Sequence, residues 1–275
     1  MERNFRDLLE AQWDAGKFLS VGLDSDFSKI PASARVEGVR ETLVNFNVAI
    51  VNATRAVAGS YKLNSAFYEA HGELGWTALQ ETVEYIHGEL PDMPVILDAK
   101  RADIGNTNDG YVQALFERLN ADAVTVHPYL GGEALAPFLK NPEKGVFVLC
   151  RTSNPGAGEF QDLESGGKPL YMHVAERVRD GWNANKNCGL VVGATYPEEM
   201  KKIRAVADDM PFLIPGIGAQ GGDLEKTVAS GRDSRGKGFV IAASRAIIFA
   251  SGGDDFAEVA GAKAAELSTA IQAAL

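Results

Sequence analysis

The 275-residue chain is 45% hydrophobic and 23% charged, which are ordinary values for a globular protein and sufficient for a large core. No apolar run reaches the roughly 18 residues of a membrane span, and the charged start MERNFRDLLEAQWDAG does not resemble a secretory signal, so we expect a soluble cytoplasmic protein. A net charge of −10 argues against non-specific nucleic-acid binding, and the spacing of Cys150 and Cys188 favours two buried thiols over a disulfide framework or a zinc site.

Eight short runs rich in Val, Ile, Leu and Phe recur along the chain and predict buried strands. They cover residues 17–23, 59–64, 94–100, 121–127, 145–150, 188–194, 211–217 and 237–243. Stretches with helical periodicity lie between them, at 37–54, 76–90, 107–119, 169–184, 198–208 and 256–274. Strands that are apolar on both faces and alternate with helices predict an α/β fold, a (β/α)8 TIM barrel, better than an open doubly wound sheet. We therefore expect one domain over residues 1–275, with a helix at 1–16 closing the bottom of the barrel.

Polar residues stand at the carboxyl ends of these strands, where a parallel barrel carries its reactive groups. In GLDSD, Asp24 follows the first strand, where a carboxylate either accepts hydrogen bonds from sugar hydroxyls or caps a helix. Lys62 lies near the end of the second run, and a lone lysine at such a place usually extends to solvent. Adjacent strands would, however, bring Lys62 beside Asp98, which gives this lysine a possible role in a site.

The stretch DAKRADIGNTND puts four charged side chains at the end of the third strand. Asp98 and Lys100 are two residues apart and should project to the same side of the strand, into the barrel mouth. With Lys62 they would form an alternating Lys-Asp-Lys array that needs no metal. Asp103 has two interpretations from spacing alone, because an acidic residue there either belongs to the site or favours the start of the following helix.

Two glycine-bearing loops follow the fifth and seventh strands, and a short polar segment follows the eighth. The long loop at 151–169 suits either a lid over a ligand or a variable surface loop. The segments at 215–223 and 242–247 occupy the usual phosphate site of this fold, where Gln220 can donate through its amide and Arg245 can pair with an anion. His127 stands alone at a strand end, which is more typical of a wall residue than of a catalyst.

These residues, in this order, resemble the orotidine 5'-phosphate decarboxylase family. The set DxKxxDIxxT consists of Asp98, Lys100, Asp103, Ile104 and Thr107; VGLDSD and YKLN precede it, and RTSNPG, PGIGAQGGD and SRAI follow it. The wording LDAKRADIGNT and TSNPGA is similar to the longer bacterial branch of the family. The matches extend in order from residue 18 to residue 247, so the resemblance covers nearly the whole chain.

The resemblance implies a homodimer that converts orotidine 5'-monophosphate to UMP and carbon dioxide, the last step of de novo pyrimidine nucleotide synthesis, without a metal or an organic cofactor. Carried over by position, Lys62, Asp98, Lys100 and Asp103 would form the catalytic charge array. Lys100 would protonate a carbanion at pyrimidine C6, and Asp103 with Thr107 would reach into the partner subunit's site.

The resemblance also assigns substrate contacts. Ser153 would contact the pyrimidine, Asp24 the ribose, and Gln220 with Arg245 the phosphate. One departure concerns the phosphate loop, because Gly221 follows Gln220 where some members carry a tyrosine, so we expect different lid contacts to the phosphate.

Two other functions are compatible with the fold. A relative of the 3-keto-gulonate 6-phosphate decarboxylase or hexulose-phosphate synthase type uses magnesium and an enediolate, but resembles this chain less because Lys62 stands where an acidic metal ligand would be. A non-catalytic nucleotide-binding or scaffolding barrel would be expected to lose part of the charge array, whereas all four members are present.

Overall fold

The computed structural model describes residues 3–217 and 222–275 and contains a closed barrel of eight parallel strands. The strands are β1 (Leu19–Gly22), β2 (Ala58–Asn64), β3 (Val95–Arg101), β4 (Ala123–Val126), β5 (Gly145–Arg151), β6 (Cys188–Val192), β7 (Phe212–Pro215) and β8 (Phe239–Ala243). Each strand pairs with its neighbours in the chain, and β1 pairs with β8 to close the barrel. The (β/α)8 class expected from the sequence is therefore confirmed, and every predicted run overlaps one barrel strand.

The barrel strands are buried on both faces, as the apolar runs predicted. Their side chains fill the barrel interior or pack under the surrounding helices, and Phe147, Phe212 and Phe239 are fully buried. The register places Asn64 of β2 opposite Asp98 of β3, so the carboxyl ends of these two strands lie at the same height. The polar residues that follow the strands therefore converge on one end of the barrel.

Twelve α-helices are described in residues 3–217 and 222–275. They are α1 (Phe5–Asp14), α2 (Val39–Thr54), α3 (Ala66–Glu69), α4 (Gly72–Glu89), α5 (Gly105–Val112), α6 (Gly131–Leu139), α7 (Gly158–Gln161), α8 (Leu170–Arg177), α9 (Pro197–Ala207), α10 (Leu224–Gly231), α11 (Arg245–Ile248) and α12 (Phe256–Ala273). Helices α5 and α8 continue as π-helical turns over Gln113–Arg118 and Val178–Trp182. None of the helices in the described part of the chain is long and apolar enough to cross a membrane.

Helix α1 covers the amino-terminal end of the barrel, within the segment 1–16 for which a closing helix was expected. The Asn4 side chain caps it by accepting a hydrogen bond from the Asp7 backbone N–H. The ring of Phe5 packs edge-on against Phe147, with 5.6 Å between the centroids. The indole N–H of Trp13 donates to the Phe239 carbonyl at 2.8 Å, which joins α1 to the last strand of the barrel.

The long loop after β5 has a structure of its own. After β5 it forms a 3-10 turn and the short helix α7, and then a hairpin in which Glu164–Ser165 pairs with Lys168–Pro169. The hairpin turns at Gly166 and Gly167, which both have positive φ. We call the first part of this loop, residues 152–162, the β5 lid segment.

Candidate active site

Four charged side chains meet in the mouth of the barrel. The Lys62 ammonium lies 2.9 Å from an Asp24 carboxylate oxygen and 3.5 Å from an Asp98 oxygen. The Lys100 ammonium lies 2.7 Å from the other oxygen of Asp98. The order Asp24-Lys62-Asp98-Lys100 therefore alternates in charge, and the sequence-predicted array of Lys62, Asp98 and Lys100 is extended by Asp24.

The environment stabilises the charged forms of the two central members. Burial raises the pKa of Asp98, but Lys62 and Lys100, with hydrogen bonds from Lys100 and Thr125, outweigh it and lower that pKa to about 2. Burial lowers the pKa of Lys62, but the carboxylates of Asp24 and Asp98 more than compensate, and the net effect is a raised pKa. Both groups therefore remain charged at neutral pH.

The contact between Lys100 and Asp98 does not follow from the regular alternation of side chains along a strand. The β3–β4 register shifts between Leu97 and Arg101, and Lys100 has a φ of +46°, in the left-handed region. Such a backbone conformation costs about 1–2 kcal/mol for a residue with a side chain. Thr125 on β4 holds it by accepting the Lys100 backbone N–H at 2.9 Å, and the same hydroxyl donates to Asp98 at 2.8 Å. The predicted pair is confirmed as neighbours, but a bulge held by Thr125, and not period-two geometry, aims the lysine.

Two cavities open beside the array. The larger, about 480 Å³, is lined by the array residues Lys62, Asp98 and Lys100, by Ser153 with neighbouring residues of the β5 lid segment, and by apolar side chains of β5 to β8. The Lys100 side chain is 49% exposed, so its ammonium keeps hydrogen-bonding capacity toward this space. A flat, partly apolar ring with polar edges matches a cavity of this composition.

The smaller cavity, about 140 Å³, shares Lys62 and Asp98 with the larger one and also contacts Asp24. Its far side is formed by the ends of β7 and β8, from Pro215 to Ile217 and from Ala242 to Ala246. Arg245 lines it from the start of α11 and is exposed. Gln220, the other residue predicted to contact phosphate, lies outside the described residues.

Asp103 and Thr107 do not contribute to these cavities. Neither is among the described residues that line them, and Thr107 is exposed on the first turn of α5. The Asp103 carboxylate accepts the Ile104 backbone N–H at 2.8 Å, directly before α5 begins at Gly105. This contact supports a local role at the helix start but leaves the second carboxylate oxygen available to another group.

Several functional candidates carried a weak signal in the sequence. Thr125 lies within an apolar strand and Gln161 lies in a loop without periodicity, so the sequence pattern indicated neither. In the structure Thr125 donates a hydrogen bond to Asp98, and Gln161 lines the larger cavity. The alternative of Asp24 as a helix cap is not realised, because the cap of the 3-10 turn at Phe27–Lys29 is Asp26. Among residues 3–217 and 222–275, no group of three or more His, Cys, Asp or Glu side chains is placed to hold a metal.

The cysteines and the strand-end histidine lie outside the array. Cys150 and Cys188 are both buried free thiols, and burial raises the pKa of each to about 12. The expectation of two buried thiols without a disulfide is therefore confirmed. His127 lines another, mainly apolar cavity of about 700 Å³, which shares Leu149 and Gln161 with the larger mouth cavity; this position agrees with its interpretation as a wall residue.

Comparison with known proteins shows which family this chain resembles. The model of the Orotidine 5'-phosphate decarboxylase / HUMPS family matches residues 19–259. The chain is 46% identical over 272 residues to the orotidine 5'-phosphate decarboxylase of Cellvibrio japonicus, and the alignment covers 98% of this chain and 99% of that one.

Solved structures show the same similarity. The Leishmania donovani OMP decarboxylase superposes with a TM-score of 0.84 at 37% identity, covering 98% of each chain. The Leishmania donovani UMP synthase superposes with a TM-score of 0.87 at 39% identity over 98% of this chain, which spans 57% of that longer protein.

Proposed function

This chain belongs to the Orotidine 5'-phosphate decarboxylase / HUMPS family, and on that premise we propose that it is a carboxy-lyase that converts orotidine 5'-monophosphate to UMP and carbon dioxide in pyrimidine biosynthesis. The observation that carries the proposal is the array Asp24-Lys62-Asp98-Lys100, which lies between two cavities of different character. Such a site suits a molecule with a ring at one end and an anion at the other.

The substrate would span the two cavities. Its pyrimidine ring would occupy the larger one, beside Ser153 and with C6 facing Lys100. Its phosphate would lie in the smaller one, against Arg245, together with Gln220. Its ribose would cross the shared wall, where Asp24 accepts hydrogen bonds from sugar hydroxyls.

The charge array would favour breaking the bond between C6 and the carboxylate. Carbon dioxide leaves, the electron pair stays on C6, and the Lys100 ammonium stabilises the resulting carbanion and then gives it a proton. Asp98 would lie close to the departing carboxylate, and it holds the Lys100 ammonium in place at 2.7 Å. Because these charges are fixed before the reaction, little reorganisation accompanies the development of negative charge. We propose that no step uses a metal or an organic cofactor.

We further propose a homodimer with shared active sites. Asp103 and Thr107 would each complete the partner subunit's site, which accounts for their position away from the described lining of their own cavities. The neighbouring residue Ile104 is 60% exposed, and Tyr129, after β4, is 85% exposed. A second subunit that packs over these residues would remove their apolar surface from water.

A spectrophotometric assay tests the activity. Purified protein in EDTA, with no added metal, should convert orotidine 5'-monophosphate to UMP with loss of orotidylate absorbance. The magnesium-dependent hexulose-phosphate synthase type is disfavoured because the Lys62 ammonium, held between two carboxylates, would repel a divalent cation at this place. Activity that EDTA abolishes and magnesium restores would support that alternative.

Subunit exchange tests the shared site separately. Lys100→Ala and Asp103→Ala should each be inactive alone, but their mixed dimer contains one site with both groups intact. Equal mixing with free exchange should therefore restore about a quarter of the wild-type activity, since half of the dimers are mixed and each has one good site. If mixing restores nothing although mass spectrometry detects mixed dimers, the shared site is wrong.

A further inference from the structure

The β5 lid segment, residues 152–162, is closed at its base by one side chain. The side-chain oxygen Oε1 of Gln161 accepts the Thr152 backbone N–H at 2.9 Å, and the side-chain nitrogen Nε2 of Gln161 donates to the Thr152 hydroxyl at 2.8 Å. The last turn of α7 is thereby tied to the first residue after β5. Two hydrogen bonds from one planar amide fix both the distance and the orientation of this junction.

A buried cation fixes the same junction from below. The Arg151 side chain is 3% exposed and forms an ion pair with Asp162, with N–O distances of 3.0 and 3.1 Å. Its guanidinium carbon lies 3.9 Å from the centroid of the Tyr196 ring, in the loop after β6. Guanidinium groups that stack on a ring and pair with a carboxylate are rigidly held. Both ends of the lid segment are therefore attached to the barrel wall.

This junction borders the larger mouth cavity. Gln161 lines that cavity together with Lys100 and Ser153, and it is half-buried. On its other side the Ser153 backbone packs directly on Gly193, where an added Cβ would lie 2.7 Å from the Ser153 nitrogen. The turn at Thr152 and Ser153 is thus held between Gln161 and β6, with little freedom to shift.

We propose that Gln161 is a positioning residue for the pyrimidine end of the substrate. By holding Thr152 through two hydrogen bonds, it sets the position of Ser153 and of the neighbouring backbone against the ring. The inference rests on the proposed function, because it takes the larger cavity to be the pyrimidine site. It predicts that Gln161 acts on ring recognition and not on phosphate recognition, since the cavity that contains Arg245 does not include Gln161 in its described lining.

The test compares binding of two ligands to Gln161→Ala. Loss of a hydrogen-bond pair at a partly buried site should raise Kd for UMP and KM for orotidine 5'-monophosphate about tenfold. Kd for ribose 5-phosphate should stay within about twofold, and kcat should fall less than KM rises. Gln161→Glu keeps the acceptor for the Thr152 N–H and should recover part of the affinity for UMP.

Glu159→Ala is the matched control, because Glu159 is exposed on the same short helix α7 and should leave all four constants unchanged. The inference is overturned if Gln161→Ala binds UMP normally, or if it weakens ribose 5-phosphate binding as much as UMP binding, which would indicate general disruption of the mouth. A wild-type protein that neither decarboxylates orotidine 5'-monophosphate nor binds UMP would instead overturn the proposed function, and the inference with it.

Discussion

An aspartate lies at each end of the barrel, Asp122 fully and Asp98 largely buried, and the two have similarly lowered pKa values but different surroundings. Asp98 lies in the mouth, and Asp122 lies beneath the barrel, where its carboxylate accepts the Arg3 guanidinium at 2.8 Å on each oxygen and the Val95 N–H at 2.8 Å. His87 approaches it at 3.2 Å. Burial raises the pKa of Asp122, but Arg3 and His87 outweigh burial and lower it to about 2, as Lys62, Lys100 and Thr125 do for Asp98.

A lowered pKa therefore does not by itself mark a site. The four donors around Asp122 belong to the protein and leave its carboxylate little capacity for a ligand, which indicates a structural role that fixes α1 and the start of β3. Around Asp98, by contrast, Lys100 is half-exposed and faces a cavity. Spare hydrogen-bonding capacity toward open space distinguishes the two ends of the barrel.

The largest expected difference between the two ends of the barrel is in kcat, after removal of one lysine from each end. Lys100→Ala should lower kcat at least about 10²–10⁴-fold, the range for loss of a general acid, while UMP binding stays measurable by calorimetry. Lys144→Ala removes a lysine that donates to Asn120 and to the Ala121 carbonyl at the opposite end, and it should leave kcat unchanged. Near-normal turnover in Lys100→Ala would refute its assignment as the proton donor.

Removal of the lower carboxylate should act on stability alone. Asp122→Asn leaves the Arg3 guanidinium without its charged partner, and breaking a buried pair costs about 3–5 kcal/mol in the free energy of unfolding. Urea denaturation should show this loss, while kcat/KM of the folded fraction at 25 °C stays at the wild-type value. A large fall in kcat/KM without a loss of stability would contradict the division between the two ends.

The dependence of stability on acid pH should isolate what the ionised Asp98 in the barrel mouth contributes to the free energy of unfolding. The folded pKa of Asp98 is about 2, below its usual 3.8, so its ionised form stabilises the fold above about pH 4 and this contribution is lost as the pH falls toward 2. Lys62→Met removes the largest influence that lowers this pKa. The variant should be less stable than wild type by about 2 kcal/mol at pH 7. Urea midpoints at pH 7, 4 and 3 should show the gap narrowing, whereas a gap independent of pH would count against this account.

Two glycines offer a matched pair with smaller effects. An added Cβ at Gly193 would meet the Ser153 backbone at 2.7 Å, and one at Gly145 would meet the Phe5 ring below the barrel. Gly145→Ala should lower the free energy of unfolding by about 1–3 kcal/mol through overpacking and leave KM unchanged. Gly193→Ala should raise KM for orotidine 5'-monophosphate several-fold, since Ser153 must move. Equal KM values for both variants would show that Ser153 does not set the pyrimidine site.

Much of this organisation could be predicted from the sequence, because buried parallel strands leave continuous apolar runs. The positions of all eight strands and of Asp98, Lys100 and Lys62 at their ends followed from that pattern. The bulge at Lys100 could not be predicted, because its left-handed backbone depends on Thr125, a residue of another strand. Helix α6 was also missed, since Gly131, Gly132 and Pro137 give it the composition of a loop.

The pairing of Asp122 at the amino-terminal end of the barrel was not predicted, for a related reason. Asp122 lies within a run that the sequence identifies only as a strand, and its partners Arg3 and His87 are 119 and 35 residues away. Periodicity describes local structure and carries no information on such distant pairing. The lid segment shows the same limit, because Gln161 acquires a role only when the chain returns to Thr152.

The contact between Trp13 and Phe239 bears on how the protein is made. The two residues are 226 positions apart. Strand β1 likewise has no second strand to pair with until β8 has been synthesised. During synthesis the ribosome releases α1 and β1 long before β8, so the growing chain carries an unpaired strand edge through most of translation. Arg245 lies two residues after β8, so this part of the lining of the smaller cavity is added in the same closing step. The barrel is thus closed, and the lining of the smaller cavity is completed, at one late step of synthesis.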